Sequence, residues 1–175
     1  MRRDRGTGTG GVEDMSRTEL HTKLLAYLDQ HHVATLATQG PDGPWASAVF
    51  YVNDGLILYF LSAPTARHSR NLEADPRVAA TVQEDYSAWR QIKGVQLEGR
   101  VSRLDAVESL RAAACYARKF AFTDALQAPS AIAAAMKKIA WYRLESACLY
   151  LIDNSIGLGH RERFDVEEGI GRTCQ

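Results

Sequence analysis

Hydrophobic spacing divides the chain into an opening helix, a run of strands and a mixed C-terminal part. Ser16-Arg17-Thr18-Glu19 has the form of a capping box, a hydroxyl at the cap and a carboxylate three residues on. Leu20, Leu24, Leu25 and Leu28 then follow at helical spacing, which predicts a helix ending near His31. Val33 to Thr38 and Trp45 to Val52 read as strands, separated by the dense turn chemistry of Gly40-Pro41-Asp42-Gly43-Pro44. Asn53-Asp54-Gly55 is a hairpin signal, and Leu56 to Leu61 is a continuous apolar run, as in a strand buried on both faces.

A short helix is predicted from the Ala63-Pro64-Thr65 stop to about Ala74, ahead of Asp75-Pro76. Arg77 to Gln83 is a fourth strand, residues 84 to 91 a loop, and Ile92 to Arg103 a long fifth strand. On that strand Val95, Leu97, Gly99 and Val101 share one face, and Gln96, Glu98 and Arg100 the other. Asp105 to Glu108 caps a second long helix, with Val107, Leu110, Ala114 and Ala117 on one stripe. An alanine-rich helix is expected over about Ser130 to Lys138, a sixth strand over Ala140 to Ile152, and a loop-rich tail from Asn154. About six strands joined by links too short for parallel crossovers predict a mostly antiparallel barrel with flanking helices, mainly β with α.

Residues 1–15 are polar, glycine-rich and aperiodic, and are expected to form a disordered tail. Met15, directly before the helix cap, is a candidate translation start. The expected organisation is one domain over residues 16–160 and a C-terminal tail over residues 161–175. The whole chain, 175 residues with 46% hydrophobic content, is long enough to bury a substantial core.

Charge and cysteine content narrow the function. Lys plus Arg and Asp plus Glu are both 21, giving a net charge of zero, so the basic excess of a nucleic-acid binder is missing. The three cysteines, Cys115, Cys148 and Cys174, are odd in number and have no metal-type spacing, which fits a reducing cytoplasm. No apolar run approaches the roughly 20 residues that span a bilayer, and no apolar stretch follows the basic start to make a signal peptide. Gly6-x-Gly8-x-x-Gly11 matches a dinucleotide fingerprint only literally, because no strand precedes it. His31-His32 lacks a third ligand at usable spacing. No nucleophile motif of a hydrolase and no kinase loop is present.

The informative segment is Ser62-Ala63-Pro64-Thr65-Ala66-Arg67-His68-Ser69-Arg70-Asn71-Leu72. It follows an apolar strand and opens a helix, offering hydroxyls, two arginines, a histidine and free helix N–H groups, the donors a phosphate needs. The same residues also suit a solvated basic helix face.

The stretches HVATLATQGPDGPWASAVFYVNDGLILYFLS, TARHSRNLEADPRVAATV and IKGVQLEGRVSRL resemble the pyridoxamine 5′-phosphate oxidase-like FMN-binding split barrels. ARHSRNL, IKGVQLEGRV and IDNSIGLGH bring the chain nearest to the YhbP-like group, over about Leu20 to His160. The resemblance implies a six-stranded split β-barrel binding FMN at a homodimer interface, with a small-molecule substrate or electron donor. It implies that Ala46, Ser47, Ala48 and Val49 offer backbone groups to the isoalloxazine edge. It further implies that Ser62, Thr65, Arg67 and His68 hold the phosphate, and that Gln96 reaches the flavin from the partner subunit. The Asn154-Ser155-x-Gly157-x-Gly159-His160 loop is either a further flavin contact or a plain turn. After Asp153 the chain has no tryptophan and no R-L-S-P-like end, so vitamin B6 oxidation itself is not expected. The deazaflavin F420, haem, a non-catalytic flavin carrier and a cofactor-free dimer are the alternatives.

Overall fold

The computed structural model describes residues 15–120 and 138–166. The expected N-terminal tail (but for Met15), nearly all of the alanine-rich helix at 130–138 and the chain beyond residue 166 lie outside the described residues.

Helix α1 (Arg17–Gln30) begins at Ser16, whose side chain accepts from the Glu19 N–H. It buries Leu20, Leu24 and Leu28 along one stripe. Strands β1 (Val33–Gly40), β2 (Gly43–Asp54) and β3 (Ile57–Ser62) form two successive hairpins. The second turns at Gly55, where a positive φ of 63° favours glycine. Helix α2 (Arg67–Ala74) leads into β4 (Arg77–Gln83), and a 3₁₀ turn (Trp89–Gln91) leads into β5 (Lys93–Arg103). Helix α3 (Ala106–Lys119), β6 (Ala140–Asp153) and β7 (Arg161–Asp165) complete the described elements.

The sheet runs β3-β2-β1-β4-β5-β6-β7, and β6 also pairs with β3. Six antiparallel strands therefore close into a barrel, as the short links require, and β7 extends β6 outside the closure. The interior is filled by Leu36, Tyr51, Leu58, Phe60, Val82, Val95, Leu97, Leu144 and Leu149, with the α1 leucines plugging it. No helix of the described residues is long and apolar enough to cross a membrane.

Three local expectations change. Residues Arg161–Asp165 are a strand rather than loop: four of the five are charged or half-exposed, and pairing with the far half of β6 supplies what periodicity does not show. The Ala63–Pro64 region is a turn, with Ala66 N–H donating to the Ala63 carbonyl at 2.9 Å, so α2 starts at Arg67. The stripe of α3 faces outward, with Val107 76% and Leu110 73% exposed. Its buried side is Ala112 and Cys115, packed on Val52, Ile57 and Tyr59. Two ion pairs set that orientation, Arg111 to the buried Asp54 at 2.7 Å and Glu108 to Arg143 at 2.7 Å. A buried carboxylate left unpaired is costly enough to outweigh exposing two aliphatic side chains.

Candidate phosphate corner and barrel-edge platform

The β3–α2 junction places a polar cluster at one corner of the barrel. Helix α2 has no side chain capping its N-terminus, and its first helical bond is Arg70 N–H to the Ala66 carbonyl. The N–H groups of Arg67, His68 and Ser69 therefore have no acceptor within the helix. Arg67 donates to the Asp42 carbonyl at 2.9 Å and its guanidinium lies 4.5 Å from the centre of the Trp45 ring, which fixes it beside the β1–β2 turn. Thr65 is exposed in the Ala63–Ala66 turn that precedes α2. A helix N-terminus, an arginine held against the β1–β2 turn and an exposed hydroxyl thus lie within three residues of one another at this corner.

Behind this surface the groups are buried and satisfied. Ser62 is 8% exposed and its hydroxyl lies 2.6 Å from His68 Nε2 and 3.0 Å from Ser69 Oγ. Burial pushes the His68 imidazole below its ordinary value, which favours its neutral form. Asn71 is buried and donates to Thr38 Oγ1 at 3.1 Å, and Thr38 donates to the Trp45 carbonyl at 3.3 Å. That chain ties α2 to both strands of the first hairpin. Gly40 completes it, since a Cβ there would collide with the Asn71 carboxamide.

From Trp45 the site continues along β2. Only Tyr51–Asp54 of β2 pair with β3, so the stretch containing Ala46, Ser47, Ala48 and Val49 is partnered by β1 alone. Its second backbone edge has no strand partner among the described residues. This edge is the opening in the split barrel. Ala46 and Ala48 point outward, Ser47 is half-buried, and Val49 points into the core at 8% exposure.

The outer faces of β1, β4, β5 and β6 form a shallow depression of about 370 Å³, lined by Thr35, Ala37, Ala79, Thr81, Gln96, Glu98 and Tyr150. Register aligns Ala48, Thr35, Thr81, Gln96 and Tyr150 in one row across the sheet. Gln96 is thus three strand spacings from Ala48, about 14 Å. Within one chain Ser62 and His68 are hydrogen-bonded, Arg67 meets Asp42 and Trp45 just ahead of the Ala46–Val49 stretch, Thr65 is exposed, and Gln96 stands apart on the platform.

The sequence pointed to the contiguous donors but not to Asp42 and Thr38, whose roles exist only through contacts across the fold; Ser69 and Asn71 were visible as motif positions without a role. The Asn154 loop is a turn built on that side chain: Asn154, 6% exposed, donates to the Trp89 carbonyl at 3.0 Å and accepts from Gly159 N–H at 3.0 Å. Among the described residues no cluster of three or more His, Cys, Asp or Glu side chains forms a metal site.

A closed antiparallel barrel with one split edge and an uncapped helix beside it defines the class: a split β-barrel. The sequence profile described as "Pyridoxamine 5'-phosphate oxidase" matches residues 20–145, and the chain belongs to that family. Its relatives place it in the YhbP-like group. It is 30% identical over 149 residues to the UPF0306 protein plu4501 of Photorhabdus laumondii, covering 84% of this chain and 96% of that one. It is also 30% identical over 146 residues to the UPF0306 protein YhbP of Escherichia coli, covering 82% and 91%. Among solved structures, a haem-binding protein from Mycobacterium smegmatis superposes with a TM-score of 0.64 at 24% identity, over 88% of this chain and 60% of that longer one. An FAD-binding protein from Mesorhizobium loti superposes with a TM-score of 0.58 at 21% identity, over 73% and 90%. These two likenesses establish the fold.

Proposed function

We propose that this chain is an FMN-binding oxidoreductase that works as a cytoplasmic homodimer on a small-molecule substrate or electron donor. The observation that carries the reading is the continuity of the anion corner with an unpaired strand edge. Arg67, Thr65, His68 and the first N–H groups of α2 hold the phosphate, with Arg67 supplying the charge. The Ala46–Val49 backbone offers donors and acceptors to the polar rim of a flat ring system, so side-chain identity matters little there. The flavin, when bound, supplies hydride or electron transfer, and the protein contributes binding, orientation and electrostatics. No acid or base is assigned.

An open strand edge flanked by exposed Phe50, Val33 and Trp45, at 60%, 42% and 41%, supports the dimer. A second subunit covers such a surface, and Gln96 of the partner subunit then approaches the ring. That arrangement supplies the residue a single chain holds too far away.

Isothermal titration with FMN and with riboflavin tests the assignment. FMN is expected to bind at least tenfold more tightly, since riboflavin lacks the phosphate. Equal affinities would remove the corner from the site.

Haem is the second reading, favoured by the structural likeness to the haem-binding mycobacterial protein. The residues lining the platform include no imidazole or thiol, and Tyr150 is the side chain there that resembles a known haem ligand. A Soret band on haem addition that Tyr150→Phe abolishes would support it over flavin.

A further inference from the structure

Helix α2 carries a second face that the corner does not use. Ser69, Leu72 and Glu73 recur at the spacing of one helical stripe, and at about 3.6 residues per turn they lie on the side of the helix away from Arg67. With Val101 and Arg103 of β5 and Tyr142 of β6, this stripe lines a cavity of about 320 Å³. Register places Arg103 directly opposite Tyr142, with Val101 on the same face of the sheet. The volume is at the small end of ligand pockets, about 300–1,000 Å³, and none of these residues lines the platform.

Tyr142 is the informative residue. It is 5% exposed, and its ring stacks on Phe60 with centroids 5.3 Å apart and planes at 13°. Buried tyrosine hydroxyls ordinarily find a partner, yet this one makes no hydrogen bond among the described residues. Nor is it sealed in, since Arg143 Nε is the one fully enclosed side-chain nitrogen or oxygen there without a bond. The little surface Tyr142 retains is at the cavity it lines. Ser69 is buried beside it and donates to Ser62 Oγ at 3.0 Å, which leaves its own oxygen free to accept. Leu72 and Val101 supply buried apolar wall. Glu73 and Arg103 are exposed and form no ion pair with each other or with any other described residue.

We propose that this cavity is a second ligand site, for a small amino acid with an apolar side chain. Arg103 and the Tyr142 hydroxyl donate to the carboxylate, Glu73 accepts from the ammonium, and the side chain lies against Leu72 and Val101. The lining selects this class. A simple anion meets the uncompensated Glu73, a simple cation meets Arg103, and a purely apolar molecule leaves the Tyr142 hydroxyl unpaired and without water. An exposed charge at a rim is by itself an ordinary solvated group; the unpartnered buried hydroxyl, set beside apolar wall and two opposite charges, is what points to a ligand. The site is separate from the one assigned to FMN and stands whether or not flavin binds.

The test is isothermal titration of the full chain, without flavin, with L-leucine, L-phenylalanine, 3-phenylpropanoate and 2-phenylethylamine. At least one of the two amino acids is expected to bind, and the two phenyl compounds that carry a single charge to bind threefold or more weakly than phenylalanine. Tyr142→Phe is expected to weaken amino-acid binding about three- to tenfold. Its melting temperature should stay at the wild-type value, because the hydroxyl it removes has no partner in the protein and the ring on Phe60 is kept. Arg103→Gln and Glu73→Gln, both at exposed positions, are expected to lose threefold or more. No binding of either amino acid at millimolar concentration would overturn the proposal, and needs no variant to fold. Binding that Tyr142→Phe leaves unchanged would take the ligand out of this cavity, and 3-phenylpropanoate binding as tightly as phenylalanine would overturn the role of Glu73 and with it the ligand class. Because no flavin is present, each of these results is independent of whether FMN binds.

Discussion

The corner under α2 and the platform on the outer face of the barrel are neighbours joined at Trp45, yet they are built from opposite materials. The corner is a connected set of polar side chains: Asn71 to Thr38 to the Trp45 carbonyl on one side, Ser69 to Ser62 to His68 on the other. Every buried side-chain donor there has an acceptor, so the set is rigid and each member is hard to replace. The platform is largely alanine and threonine, with bare backbone at its edge. What it offers is shape and main-chain groups. One region recognises by side-chain chemistry and the other by the absence of side chains, so substitutions in the two should fail differently.

The sharpest expected effect is at Arg67. Arg67→Ala should weaken FMN binding tenfold or more, about 1.5–3 kcal/mol, with little change in thermal stability, measured by titration and by unfolding. Unchanged affinity would mean that the platform carries the binding and would break the contrast. Next comes Asn71→Ala, which leaves Thr38 without its donor and opens a gap against Gly40. Chemical denaturation should show about 1–3 kcal/mol lost. A loss below about 0.5 kcal/mol would deny that the corner is rigidly connected.

Ala79→Leu probes the other material. It adds bulk on an exposed strand face, so stability should stay within about 0.5 kcal/mol, while FMN affinity falls severalfold. Undiminished affinity would move the ligand off the platform. The smallest effect lies away from both regions. Burial lowers Lys119 to about 8, below the roughly 10.4 of an unfolded chain. Between those values the unfolded state binds more protons, so this lysine adds stability as pH rises from 8 to 10. Melting temperatures of wild type should gain on Lys119→Met across that window. A constant gap would show that the lysine does not titrate there.

How much of this was legible in sequence follows the same division. The helix cap at Ser16 and the first two hairpins came from local signals, each settled within a few residues, and the antiparallel barrel followed from links too short for parallel crossovers. The donors Ser62, Thr65, Arg67 and His68 were legible because they are contiguous. The inward role of Ser62 was not, because it depends on the turn at Ala63–Ala66 delaying the helix until Arg67. Asn71 and Thr38 meet across 33 residues, and no local pattern records such a contact. The outward stripe of α3 escaped for the same reason: Arg111 reaches Asp54 across 57 residues, and that pairing decides which face is buried. The small residues of the platform look like those of any sheet, and only register aligns them into one row.

The most direct test of the central claim is the visible absorption spectrum of the purified full-length protein after FMN addition and desalting. Flavin bands retained at about one per chain are expected. A protein that emerges colourless, or that instead holds haem with a Soret band, would contradict the account.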